Sequence, residues 1–219
     1  MSFILKSIFL AVNTNMQEFF DKNNFKKKFN IWEEIIKLPI GYIKLDIDFP
    51  ADQFLDECLA IKDRAKTFSF SRYQKFDKEE PGWTGLALAE NEDVSFRSIS
   101  YNHAPKLSAW FKECGFFNFS NPDKDKIHVH FLEPGASIPI HRDYEDNNLS
   151  GINFAVTQPQ GCKFLVDEYG EIPFEKPGDV FLVQIGKDHS VYNNSDDLRI
   201  HILPKVSINK QKIVERILL

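Results

Sequence analysis

The sequence predicts an α+β protein: a double-stranded β-helix (jelly-roll) core, N-terminal flanking helices and a C-terminal helix. Two observations carry this. Through the first 126 residues, apolar side chains recur mainly at helical intervals. From Ile127 the chain changes to short apolar runs of strand length, split by turn residues. Eight such runs lie between Ile127 and Val206, the strand count of a jelly roll, the architecture of cupins. A length of 219 residues suits one domain with decorations, or two small domains, and 42% hydrophobic side chains suit a sizeable core. The expected organisation is a mainly helical region over 1–126, with added strands packing on the barrel. The β-helix core follows over 127–206 and a closing helix over 207–219.

Taken in order, residues 16–37 carry Phe19, Phe20, Ile31, Ile35 and Ile36 at helical spacing, ended by Pro39 and Gly41. "YIKLDIDF" alternates and predicts a strand over 42–49. Pro50 then opens a helix over 51–68, with Phe54, Leu55, Leu59 and Ile61 placed to face a core. Residues 69–81 are charged and aperiodic, the pattern of a mobile surface loop. "WTGLALA" predicts a strand over 83–89, and "APKLSAWFKECGFF" a short helix stopped near Gly115. The eight core strands are predicted at 127–133, 138–141, 150–157, 163–166, 171–174, 180–184, 190–192 and 198–206. Turn signals such as Pro134-Gly135, Asp146-Asn147-Asn148, Pro177-Gly178 and Gly186-Lys187-Asp188 separate them. "INKQKIVERILL" predicts the closing helix.

A net charge of −5 argues against nucleic-acid binding, which needs a basic face. The basic run of Lys22, Lys26, Lys27 and Lys28 sits among Phe25, Phe29 and Trp32, and reads as the wet face of an amphipathic helix. Cys58, Cys114 and Cys162 show no paired spacing and fit reduced thiols in the cytoplasm. "MSFILKSIFLAV" lacks the basic start and cleavage site of a secretion signal. No apolar run reaches the ~18 to 20 residues that span a bilayer, so no membrane partner is expected.

Chemistry concentrates in "PGASIPIHRDYED". In an extended segment residues i and i+2 share a face, so His141 and Asp143 project together and Arg142 points away. One more imidazole would complete the two-histidine, one-carboxylate triad of non-haem Fe(II) oxygenases. His189, at a strand edge after the turn at Gly186-Lys187-Asp188, qualifies. Arg199 lies in the apolar strand "LRIHILPKV". A buried arginine there requires an anion, and its planar fork suits a carboxylate. A dicarboxylate could meet the metal at one end and Arg199 at the other.

These elements in this order resemble the aspartyl/asparaginyl β-hydroxylase family of Fe(II)/2-oxoglutarate-dependent oxygenases. The matching pieces are "EPGASIPIHRD", "QGCKFLV" and "KPGDVFLVQIGKDHSVYNNSDDLRIHIL", together spanning about 127–206. The resemblance implies that His141, Asp143 and His189 hold Fe(II), and that Arg199 binds the distal carboxylate of 2-oxoglutarate. His130 and His201 are both candidates to lie beside that cosubstrate. It further implies that O₂ is consumed, succinate and CO₂ are released, and a carbon of an amino acid or a peptide residue is hydroxylated. Family members often carry another Arg and a His in the strand after the H-x-D loop. Here that strand is "LSGINFAV", which leaves Asn153 as the candidate for the metal-proximal end. Asp143 distinguishes the chain from family members without a carboxylate ligand and argues against halogenation.

Two other readings compete: a cupin-like metal enzyme that uses no oxoacid, opposed by Arg199, and a non-catalytic jelly-roll module, opposed by the intact triad. Arg199 also has a structural reading, as an ion pair with Asp143 or Asp188. His103 and His128 read as structural or exposed. Trp83, Phe96 and Trp110 read as core with a possible part in the substrate cavity, and Arg97 and Arg142 as surface.

Overall fold

The structure is a computed structural model and describes residues 31–69, 79–93, 98–143 and 151–217. In chain order it holds helix α1 (Ile31–Ile35), strand β1 (Tyr42–Lys44), helix α2 (Ala51–Lys62), strands β2 (Lys66–Ser69), β3 (Glu79–Ala89) and β4 (Ser98–Ser100), helix α3 (Pro105–Glu113) and strand β5 (Phe117–Asn118). Next come β6 (Lys126–Leu132), β7 (Ser137–His141), β8 (Gly151–Ala155), β9 (Cys162–Val166), β10 (Gly170–Ile172), β11 (Val180–Val183), β12 (His189–Asn193) and β13 (Arg199–Lys205). Strand β14 (Ser207–Ile208) and helix α4 (Lys210–Val214) follow.

Strands β6 to β13 form the jelly roll. They divide between a large sheet, ordered β1-β11-β8-β13-β6-β3-β2 with β4 beside β3, and a small sheet, ordered β10-β9-β12-β7. The two sheets enclose one apolar cluster, with Leu132, Ala155, Phe181 and Val183 from the large sheet and Ile138, Phe164, Val166, Ile172 and Val191 from the small one. Period-two alternation sends the other face of the large sheet outward. Ile127, Val129, Phe131, Phe154, Leu182, Ile200 and Ile202 pack beneath α2 and α3 in a second cluster. Its centre is aromatic: Phe154 lies 5.1 Å from both Phe49 and Phe111, ring centre to ring centre. Each such ring contributes roughly 1.5–3 kcal/mol through burial. The inward-facing partners on the same strands, His128, His130, Arg199, His201 and Asn153, are polar. The large sheet is thus apolar toward the helices and partly polar toward the barrel.

Several expected boundaries move. The helix expected over 51–68 ends at Lys62, and Lys66–Ser69 forms β2. Its buried stripe is Ala51, Phe54, Cys58 and Ile61; Leu55 is half-buried, whereas Leu59 is 45% exposed. The loop expected over 69–81 contains the first part of β3, and residues 70–78 lie outside the described residues. The strand expected over 42–49 pairs only through Leu45, by a bridge to Ile217. Beyond it the alternation is still obeyed: Ile47 and Phe49 are buried and Asp46 and Asp48 exposed. Strands β1 to β4 continue the large sheet at both edges. Helix α3 starts where expected, its first amides Lys106 and Leu107 donating to the Glu57 carboxylate at 3.0 and 2.9 Å. The closing helix is short and preceded by β14. Of the helix expected over 16–37, α1 is the described part; residues 16–30 with the lysine run, Phe96, Arg97 and the turn at 146–148 lie outside the described residues.

Candidate metal centre

β7 and β12 are neighbours in the small sheet, and their register sets His141 directly opposite His189. The pairing then slips: Val191 faces Ile138, so β7 carries one residue more than β12 between these points. This bulge falls at Pro139 and Ile140. Proline has no N–H for the ladder, and a bulge re-aims the side chain that follows. The consequence is that Ile138 and His141, three apart, are both buried, while Ile140 is 56% exposed. The two imidazole rings come within 4.2 Å of each other, centre to centre.

Each ring is held by backbone. His141 Nδ1 lies 2.7 Å from the Pro139 carbonyl and His189 Nδ1 2.9 Å from the Lys187 carbonyl. A carbonyl can only accept, so each Nδ1 donates to backbone, and each Nε2 is the atom turned toward Asp143. The Asp143 carboxylate sits at both Nε2 atoms, 3.7 Å from His141 and 3.8 Å from His189. The donor atoms of His141, Asp143 and His189 all lie within 4.8 Å of one another. Burial, and then the neighbouring His141, push the His189 ring down to about 4, so it is neutral at physiological pH. Two imidazoles with Nε2 turned toward one carboxylate are a donor set that fits a divalent transition metal. The supporting carbonyls are the kind of partner that fixes ligand orientation. Arg142 points away, as alternation requires, and donates from Nε to Asp188 at 2.7 Å.

Arg199 opens β13 opposite Leu132 of β6, only 3% exposed. Among the described residues no carboxylate pairs with it; Asp188 is taken by Arg142, and Asp143 lies between the two histidines. Its Nη2 lies 3.0 Å from His201 Nδ1. Burial lowers the guanidinium to about 10, which still leaves it charged at neutral pH. His201 in turn meets Asn153 Oδ1 at 2.5 Å and Gln158 Oε1 at 3.0 Å. Burial and then Arg199 hold His201 well below the ordinary histidine range, so it cannot offset or add to the charge. Asn153 therefore stands beside His201.

His130 occupies the row next to Arg199 on the same face of β6. The Trp83 indole N–H donates to its Nδ1 at 3.3 Å, and the rings stack at 6.0 Å. Trp83 also lies 6.3 Å from the His141 ring, and so links the arginine side of the barrel to the histidine pair. Phe164, Phe174 and Phe181 close the opposite wall, Phe174 set 4.8 Å from His201 and Phe164 5.7 Å from His189. Trp110 belongs to the other face of the large sheet, 5.9 Å from Phe154, away from the barrel. Asn193 closes the turn between β12 and β13. Its amide donates to the Leu132 and Asp197 carbonyls, both at 2.8 Å, and its oxygen accepts from Ser195 and from the Cys162 thiol. A single buried side chain thus ties the strand carrying His189 to β6 and to the turn that leads into the strand carrying Arg199. His128 was read from sequence as structural. It stands two residues before His130 and so faces the barrel, a placement that strand periodicity alone signals.

A jelly roll with two histidines and a carboxylate on its small sheet defines a mononuclear non-haem metal oxygenase. The family model for aspartyl/asparaginyl β-hydroxylases matches residues 51–207. The chain belongs to that family and, with it, to the Fe(II)/2-oxoglutarate-dependent hydroxylases. No curated protein matches it in sequence. Among solved structures it is similar to a prolyl hydroxylase from Trichoplax adhaerens in complex with a hypoxia-inducible-factor oxygen degradation domain peptide fragment. That match has a TM-score of 0.51 and 10% identity, and covers 84% of this chain and 92% of that one. A Pseudomonas putida prolyl-4-hydroxylase matches with a TM-score of 0.48 and 13% identity, over 81% of this chain and 99% of that one. The non-haem α-ketoglutarate-dependent epimerase SnoN from nogalamycin biosynthesis gives 0.46 and 13%, over 80% and 81%.

Proposed function

We propose that this protein is a hydroxylase of an unactivated carbon in an amino acid or a peptidyl residue. It would use Fe(II) and 2-oxoglutarate, consume O₂, and release succinate and CO₂. One observation carries the reading: Asp143 stands between two imidazole Nε2 atoms whose Nδ1–H groups are both tied to backbone, in a barrel that also buries a charged arginine with no carboxylate partner among the described residues.

His141, Asp143 and His189 would hold the iron, which when bound supplies the redox and Lewis-acid chemistry with O₂. The chain's own contributions can be stated residue by residue. Arg199 would bind the distal carboxylate of 2-oxoglutarate through paired N–H donors. Neutral His201 leaves that charge undiminished, and with Asn153 and Gln158 it fixes where the guanidinium sits. His130 accepts from the Trp83 indole at Nδ1, which fixes its ring on the barrel face beside Arg199. The three phenylalanines exclude water, which strengthens the arginine's pull on an anion.

The test is to supply the protein with Fe(II), 2-oxoglutarate and air together with a panel of amino acids and peptides. Mass spectrometry then follows gain of one oxygen atom by any member. The T. adhaerens enzyme holds a peptide, so peptides belong in the panel beside free amino acids. Hydroxylated product with matching succinate supports the reading. Turnover that proceeds unchanged without 2-oxoglutarate would point to the oxoacid-independent alternative.

A further inference from the structure

We infer that Ser98 and His128 form a substrate subsite that receives a carboxylate, across the barrel from the metal centre. The inference rests on the oxygenase reading above and names the polar group by which its substrate is held.

The geometry comes from strand register. Ser98 of β4 is the partner of Ala87 of β3, and Ala87 is the partner of His128 of β6. Paired residues in a sheet project from the same face, so Ser98, Ala87 and His128 form one row. That face is the barrel side, because Leu88 and Ile99, the next residues along, pack in the outer cluster beneath the helices. The Ala87 methyl is all that the row offers between the hydroxyl and the imidazole. At ~4.8 Å per strand they stand roughly 10 Å apart at the backbone.

Both groups are unpartnered. Ser98 is 3% exposed, and its Oγ and the His128 Nε2 are buried without a hydrogen-bond partner. Folded proteins leave few buried polar atoms in this state, because each loses its bonds to water without replacement. Two in one row, on either side of a methyl group, form a pair of hydrogen-bonding groups prepared for a ligand.

The row is placed to reach the reacting centre. β6 and β7 are joined by a tight turn closed by Ala136 N–H donating to the Glu133 carbonyl at 3.0 Å. His128 precedes this turn by as many residues as His141 follows it, so the two stand at about the same height in facing sheets. A ring pathway connects them: His128 to His130 at 6.2 Å, His130 to Trp83 at 6.0 Å, Trp83 to His141 at 6.3 Å.

The chemistry favours an anion. A neutral imidazole and a hydroxyl each offer one donor. Burial, and then the charges of Lys205 and Lys126, lower His128 to about 4, so it is neutral and its surroundings are positive. Lys126 and Lys205 face each other one row further out on the same side. Lys126 also borders a recess shared with Asp93 and Asp123, which leaves Lys205 as the principal cation at that end. The carboxylate could be that of a free amino acid or an acidic side chain of a peptide.

The test uses wild type, Ser98→Ala and His128→Gln with three probes: free amino acids, their C-terminal amides, and peptides with or without an acidic residue. Binding is read from the histidine side-chain ¹⁵N resonances and from ligand-induced change in melting temperature. Carboxylate-bearing probes should shift the His128 resonance and their amides should not. Ser98→Ala should weaken that response, and either substitution the affinity read from melting temperature, roughly ten- to hundredfold, the scale of one hydrogen bond to a charged group. Response to free amino acids or only to acidic peptides identifies the source of the carboxylate. Ser98→Ala should also melt no lower than wild type without ligand, since it removes an unpartnered hydroxyl; a purely structural serine would give a lower melting temperature. Equal responses to acids and amides, or an unaltered response in both variants, would overturn the subsite. A carboxylate response in a protein that never consumes 2-oxoglutarate would retain the subsite and sink the oxygenase reading instead.

Discussion

Each imidazole at the metal centre is oriented by one backbone carbonyl, so the site's competence depends on a few atoms. Loss of His141 or Asp143 removes a ligand outright. His141→Ala and Asp143→Ala should therefore weaken divalent-metal binding beyond the ~100-fold that loss of a ligand's supporting hydrogen bond costs. Titration calorimetry with Mn(II) checks this, and near-wild-type affinity in both variants would refute the ligand assignment. Arg199 makes a separable prediction. Arg199→Met should leave metal affinity intact and raise the 2-oxoglutarate requirement roughly thirtyfold or more, ~2 kcal/mol for a buried charge left without its partner. At this scale the triad and Arg199 were legible because their spacing is local or because arginine is out of place in an apolar strand. His128 and Ser98 were not. A lone histidine and a lone serine acquire meaning only once pairing shows that they share a row.

The elements position these side chains through features of unequal visibility in sequence. The strand lengths and turns of β6 to β13 were legible because Gly, Pro, Asn and Asp punctuate short apolar runs at each turn. The bulge at Pro139 and Ile140 was not, because an extra residue is defined only against its partner strand. The same holds for β2, which continues a helical pattern, and for the first part of β3, whose charged stretch resembles a loop until pairing is known. Asn193 joins β6, β12 and the turn into β13 through one buried amide. Asn193→Ala would remove both bonds its amide donates, with Ser195 Oγ still 3.1 Å from the Asp197 carbonyl, and should cost ~1–3 kcal/mol in urea denaturation, the scale of one buried unsatisfied group. It should also weaken 2-oxoglutarate binding, because β13 carries Arg199. An unchanged denaturation midpoint would show that the turn holds without it.

For the whole molecule, the arrangement is a sheet that is apolar on the helix side and polar on the barrel side, and this has a consequence for acid stability. Burial pushes His128 down to about 4 and His130 down to about 3, from an ordinary value of 6.5, and holds His201 below it as well. The unfolded chain thus takes up protons that the folded chain refuses. The stability these groups contribute is complete above 6.5, declines as pH falls through it, and continues to decline until the folded rings titrate. Urea denaturation of the metal-free protein should show lower stability at about pH 5 than at about pH 7.5, and His128→Gln should flatten that slope. A slope unaffected by the substitution would contradict the burial of a neutral ring. The most direct test of the account is succinate formation from 2-oxoglutarate by Fe(II)-loaded protein in air with the amino-acid and peptide panel, set against His141→Ala and Asp143→Ala. The account predicts succinate from wild type, only when Fe(II) is supplied, and none from either variant. Undiminished succinate from both variants, or none from a wild type shown to bind Fe(II), would contradict it.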